Sequence, residues 1–211
     1  MMKKKFKTLS LIGMILLTGN LFAQNASDQK ASDYERAIQS RAEKIIKELN
    51  LKDSVQFKNV QVLMVNQYKQ LNSAEQIATE AKKKGDTAAV RQSERLLKET
   101  HASYLRDLSA QLNQEQVDKI KDGMTYSVLP VTYNAYQDMI PSLKSEEKRQ
   151  ILTWLTEARE LAMDQGSSDK KHQVFGKYKG RINNYLSARG YDLQKERKAW
   201  EERIKQQKGN G

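Results

Sequence analysis

Apolar residues recur at helical spacing through most of this chain, and proline interrupts the pattern at only two places, Pro130 and Pro141. No segment of useful length alternates apolar and polar residues as a strand does. The pattern therefore predicts an all-α fold. With 211 residues, the chain is long enough for one domain of ordinary size with its own core.

The helix starts and stops can be read in order. Ser32 and Glu35 form a capping-box pattern, which predicts a first helix with Tyr34, Ile38, Ile45 and Leu49 on one face. Asn50 and Asp53 mark the break. A long second helix runs from Ser54 to about Lys84, with Val55, Val60, Leu63, Leu71 and Ile77 on or near one side. Gly85, Asp86 and Thr87 make a tight reversal. The third helix runs to about Gln111, with Leu97, Tyr104, Leu105, Leu108 and Leu112 inward. Two long helices joined by a short turn should form an antiparallel hairpin. A short fourth helix buries Val117, Ile120 and Met124.

Beyond it, Pro130 lacks a donor and restricts Leu129, so Thr125 to Thr132 reads as a non-helical crossing segment. Tyr133, Tyr136 and Ile140 suggest one or two helical turns before Pro141. Three further helices follow. The first spans Ser145 to about Gln165, with Ile151, Trp154, Leu155, Ala158 and Ala162 as its buried stripe and Gly166 as a left-handed cap. The next is capped by Ser167, Ser168 and Asp169 and lined by Phe175, Tyr178, Ile182 and Tyr185. Gly176 and Gly180 are expected to clear one face of it for close approach. Gly190 closes that helix. Asp192 caps the last one, whose Leu193, Trp200 and Ile204 are expected to pack inward.

The first 23 residues read differently. Lys3, Lys4, Lys5 and Lys7 precede an apolar run from Leu9 to Leu17, and Ala23 offers a small residue before Gln24. That order is a secretory signal peptide, with cleavage expected after Ala23. The apolar run is shorter than the roughly 20 residues a spanning helix needs, and no second run follows, so no membrane partner is expected after cleavage. Export to the periplasm or beyond the cell is the expected localisation. The remaining chain divides into a flexible leader at 24–31, a helical domain at 32–205 and a disordered tail at 206–211. Loss of the four lysines lowers the formal net charge from +11 to +7. Acidic and basic residues are interspersed on helical faces, which excludes a concentrated nucleic-acid stripe. No cysteine is present, so neither a disulfide nor a thiol nucleophile is available. The sequence sets no oligomeric state.

Catalytic and metal-binding motifs are absent. His101 and His172 are the only histidines, and neither has a second ligand at a recognised spacing, so no metal and no cofactor is expected. His101 reads as a satisfied structural histidine on the third helix. Nothing in the spacing of Asp122, Asp138, Glu157, Asp164 and Asp169 selects an acid–base pair. Residues 122–193 are compositionally distinct, holding six of the nine tyrosines, both prolines and Trp154. Tyrosine has an apolar body and a polar tip. Its spacing here fits either core packing or a platform on which a sugar ring stacks while amides take its hydroxyls. The second reading gives a candidate ligand site of Tyr133, Tyr136, His172, Tyr178, Lys179, Arg181 and Asn184.

The runs KDGMTYSVLPVTYNAYQDMIPSL and WLTEARELAMDQGSSDKKHQVFGKYKGRINNYLSARGYDL, with the final tryptophan helix, resemble a secreted Bacteroidota family, domain of unknown function 3826. The resemblance covers about Ser32 to Lys205. It implies an exported protein associated with sugar binding in polysaccharide utilisation, and it supplies no catalytic residue. The helix starts at Leu112 to Gln116 and Leu143 to Glu147 also resemble, in part, the Leu-Thr-x-x-Gln repeats of Spy-like periplasmic chaperones. Three readings follow: a carbohydrate-binding accessory protein, a chaperone using the long hairpin, and a small carbohydrate-active enzyme.

Overall fold

The computed structural model describes the backbone of residues 15–209 and the side chains of residues 29–207. Among the described residues there are eight helices and no strand: α1 Ile15–Lys47, α2 Ser54–Lys83, α3 Thr87–Ser109, α4 Gln114–Met124, α5 Val128–Met139, α6 Ser145–Met163, α7 Ser168–Ala188 and α8 Leu193–Gly209. The chain divides into two compact units, Met1–Arg41 and Ala42–Gly211. The predicted signal segment lies outside the residues whose side chains are described. No described helix is long and apolar enough to cross a membrane.

Several predicted signals act as read. Asp53 caps α2 by accepting from the Val55 amide at 2.8 Å. Gly85 takes a left-handed φ of +69° and Asp86 caps α3 through the Ala89 amide, so α2 and α3 pack as an antiparallel hairpin. Asn113 and Gln116 form a reciprocal capping box at the start of α4. Glu147 accepts from the Lys144 amide at 2.8 Å and fixes the start of α6. Ser167 caps α7 and Asp192 caps α8.

Other expectations are corrected. Ser32 lies inside α1 and starts no helix, and residues 24–31 continue that helix. The segment around Pro130 is helical. Its ring occupies the first turn of α5, where the missing N–H has no intrahelical acceptor to lose. The non-helical break begins where expected but is shorter, at Thr125 to Ser127. Val55 and Ile77 are exposed on α2, whose buried line is Val60, Met64, Tyr68 and Leu71. Gly166 has no positive φ. What it provides is room, because a Cβ there would collide with the Glu75 carboxylate. A Cβ at Gly176 or Gly180 would meet open space, so neither glycine admits a close neighbour. Close approach occurs instead at Gly123, where a Cβ would lie 2.6 Å from Ile45. The tail predicted to fray from 206 continues as α8 to Gly209.

The core that positions the second half is built on α5, α6 and α7. Ile151, Leu155, Ala158 and Ala162 bury one stripe of α6 against Phe175, Ile182 and Leu186 of α7, with Leu129 and Tyr136 of α5 and the Ile140 that follows it completing the cluster. The apolar positions recur every three or four residues, so each helix turns one face inward. α8 packs on α5 and α7.

Candidate functional site

The predicted ligand residues do not converge. The Tyr136 hydroxyl donates to the Asn183 side chain at 2.7 Å and lies 3.4 Å from the Lys179 carbonyl, so it ties α5 to one edge of α7. Burial pushes its pKa up to about 12. Arg181 stands about 200° around α7 from Asn183 at 3.6 residues per turn. Its guanidinium lies 4.5 Å from the centre of the Trp154 ring and 3.9 Å from Glu157, on the edge facing α6. Tyr178 shares that edge; burial, then a hydrogen bond to Glu157, raises its pKa to about 12. Asn184 is exposed on α7, and Tyr133 packs against the core from α5. His172 lies elsewhere again, stacked on Tyr126. A single cleft joining Tyr136 to Arg181 is therefore not formed. The core face of α7 lies between them.

A groove does form at the C-terminal end of α5. It encloses about 460 Å³ and is lined by Gln137, Asp138 and Pro141 from the α5 side and by Trp200, Arg203, Ile204 and Gln207 of α8. Trp200 is half-buried here, not packed fully into the core as its helical stripe suggested. Arg203 holds the groove together by donating to the carbonyls of Asp138 and Met139 at 2.7 and 3.2 Å. These are terminal carbonyls of α5 with no intrahelical partner, and a cation there also meets the negative end of the helix dipole. None of the predicted ligand residues lines this groove; Tyr133, one turn before Gln137 on α5, packs against the core. A second groove of about 500 Å³ follows α8 along Leu193, Gln194, Arg197, Lys198 and Glu201. Residue types do not reveal either groove, because Trp200 and Ile204 are four apart and read equally well as a core stripe.

The densest polar cluster lies where α3, α4 and α6 meet. Arg159 is 7% exposed and reaches Asp118 at 2.5 Å, Asp122 at 3.0 Å and Glu160 at 3.4 Å. Lys121 pairs with Glu160 at 2.8 Å, and His101 pairs with Asp164 at 2.9 Å. Of the carboxylates singled out from the sequence, Asp122 and Asp164 are both here, Asp122 against Arg159 and Asp164 against His101. Glu157 faces Tyr178 and Arg181, Asp138 borders the groove and Asp169 lies in the first turn of α7, so these acids are spread over four places. Among the described residues no group of three or more acidic or histidine side chains is placed to hold a metal ion.

This cluster gives the fold a pH dependence with opposite ends. The hydrogen bond to Asp164 raises the His101 pKa above its ordinary 6.5, against partial burial. The stabilisation is complete below 6.5 and is lost as pH rises through the raised folded value. Burial opposes ionisation of Asp118, but bonds from Gln114 and Arg159 outweigh it and lower its pKa below 3.8. Asp118 therefore stabilises above its ordinary value and fails as pH falls below it. Unfolding free energy should fall as pH rises from the ordinary His101 value of 6.5 through its raised folded value. Denaturant titrations of the wild type and His101→Gln check this. The variant should show no such step, and an equal step in both would assign it to another group.

The backbone between α4 and α5 carries the remaining anomaly. The Ser127 amide donates to the Asp122 carbonyl and the Tyr126 amide to that of Gly123, at 2.8 and 3.4 Å, which is the Schellman pattern at a helix end. The left-handed residue of that pattern is ordinarily glycine. Here it is Tyr126 at φ 58°, followed by Ser127 at φ 54°. Non-glycine residues in this region cost about 1–2 kcal/mol each. Thr125 helps hold the turn by donating its hydroxyl to the Lys121 carbonyl at 2.8 Å.

A family model described as "Protein of unknown function (DUF3826)" matches residues 35–206. The chain belongs to this family. No curated protein matches it. The DUF3826 region takes in the ionic cluster, the Tyr126 turn and every residue of the α5–α8 groove except Gln207.

Proposed function

We propose that this DUF3826 protein is an exported carbohydrate-binding accessory protein of polysaccharide utilisation and that the α5–α8 groove receives the sugar. The observation that carries the reading is the half-buried Trp200 among Gln137, Asp138 and Gln207 in a groove of about 460 Å³. An indole face suits the C–H face of a pyranose ring. Amide and carboxylate groups at its edge suit the ring hydroxyls, and the volume falls in the range of small-ligand sites. Arg203 is already committed to the end of α5, so it acts as a fixed wall. The signal-like first 23 residues support export.

A glycan array with the protein lacking residues 1–23 tests the reading. Wild type should retain a defined set of glycans. Trp200→Ala should weaken their binding by up to about tenfold in affinity, the upper end for one aromatic stacking contact, while keeping its helical circular dichroism. Retention of the same glycans by the variant would place binding elsewhere.

One observation favours a second reading. Val55, Val62 and Ile77 are 65%, 47% and 47% exposed and share a face of α2, as a chaperone's client surface would require. Asn59, Asn66 and Ser73 interrupt that stripe, which is why the groove is preferred. Suppression of client aggregation that is lost in Val62→Ser would support the chaperone.

A further inference from the structure

We propose that Tyr126 and His172 form a second carbohydrate-stacking platform, at the end of α5 opposite the Trp200 groove. The proposal rests on the carbohydrate reading above and adds a site to it. Three observations carry it. The two rings are parallel within 15° with centroids 5.8 Å apart, in the range of a true stack. Both are at the surface: Tyr126 remains 43% exposed within the stack, and His172 is exposed on the first turns of α7. Finally, Tyr126 occupies the left-handed position of a Schellman turn that glycine would fill without strain.

A large ring placed inward at a strained position is explained by the core it fills. Tyr126 stays 43% exposed at such a position and gains less from burial than a core ring does. Strained backbone of this kind concentrates where a side chain must be presented to a ligand. The turn is also held from both sides, by Thr125 and the end of α4 before it and by the proline-fixed first turn of α5 after it. The platform is thus presented on a rigid support. α5 has twelve residues, so its two ends are about 18 Å apart. A ligand touching both sites has to be an oligosaccharide, and a disaccharide reaches only one.

Tyr126→Gly tests this without the usual ambiguity, because glycine relieves the turn while removing the ring. Isothermal titration would use β-1,4-linked hexasaccharides of glucose, xylose and mannose and the matching disaccharides. For whichever hexasaccharide binds the wild type, Tyr126→Gly and His172→Ala should weaken binding about tenfold or more. Tyr126→Phe should bind as the wild type does, since the ring face is what stacks. Disaccharide affinity at the groove should be unchanged in all three. Trp200→Ala should weaken both lengths. Wild-type hexasaccharide affinity in Tyr126→Gly would overturn the platform and leave the groove standing. Loss in Tyr126→Gly with no loss in Trp200→Ala would keep the platform and overturn the groove. Failure of every hexasaccharide to bind the wild type would overturn both.

Discussion

Arg159→Ala should destabilise the fold by about 3 kcal/mol, the lower end of what removing one partner of a buried ion pair costs. The guanidinium is 8% exposed in its side chain and serves Asp118, Asp122 and Glu160 together. Removing it strands Asp122, whose pKa burial already raises despite the bonds from Arg159. Asp118 is 39% exposed and can rehydrate, which keeps the loss from being larger. The loss should be coupled to the acid it strands. Adding Asp122→Asn to Arg159→Met should cost less than the sum of the two single changes. Denaturant unfolding checks both statements. A loss below about 1 kcal/mol in Arg159→Ala would mean that the cluster is hydrated and holds nothing together.

Phe175→Ala should cost about 3–5 kcal/mol, by lost transfer energy and the cavity left behind. Phe175 is 1% exposed, among the side chains of α5 and α6. α6 cannot collapse easily into the space, because it is fixed at both ends. Glu147 holds its first turn, and the buried Lys171 donates to the carbonyls of Ala162 and Met163 at its last. Thermal unfolding would show the effect as a large fall in Tm. A change under about 1 kcal/mol would show that the three-helix core repacks freely, contrary to the burial of Phe175.

The helices are legible in the sequence because their signals are local. Asp53, Asp86, Asn113 and Ser167 each act within three residues of themselves, so the sequence near them suffices. The turn at Gly85 is local in the same way. Sequence reasoning fails where a residue's role depends on a partner far along the chain. Gly166 reads as a left-handed cap until Glu75 is found beside it, and Gly180 reads as a contact until its face proves open. Pro130 is a local signal with two outcomes. Proline breaks a helix in its interior and begins one in its first turn, and only the position of Ser127 decides between them. The candidate site shows the same limit. Tyr136 and Arg181 are close in sequence character, but the tertiary fold assigns one to α5–α7 packing and the other to the α6 edge. Trp200 stands out in the sequence yet reads as core, since nothing on α8 says which helix leaves it half-covered. Arg159 does not stand out at all, because one arginine on a charged helix carries no mark of burial.

The groove beside Trp200 carries the proposed function, and the chain has only two tryptophans. Their indole N–H groups give two separate signals in a nitrogen-15 correlation spectrum. Trp154 packs against the core, edge-on to Tyr185 at 5.2 Å and covered by Arg181, while Trp200 lines the groove. Titration with the glycans retained on the array should move the Trp200 signal in proportion to saturation and leave the Trp154 signal in place. Saturable binding that leaves Trp200 unmoved would contradict the account.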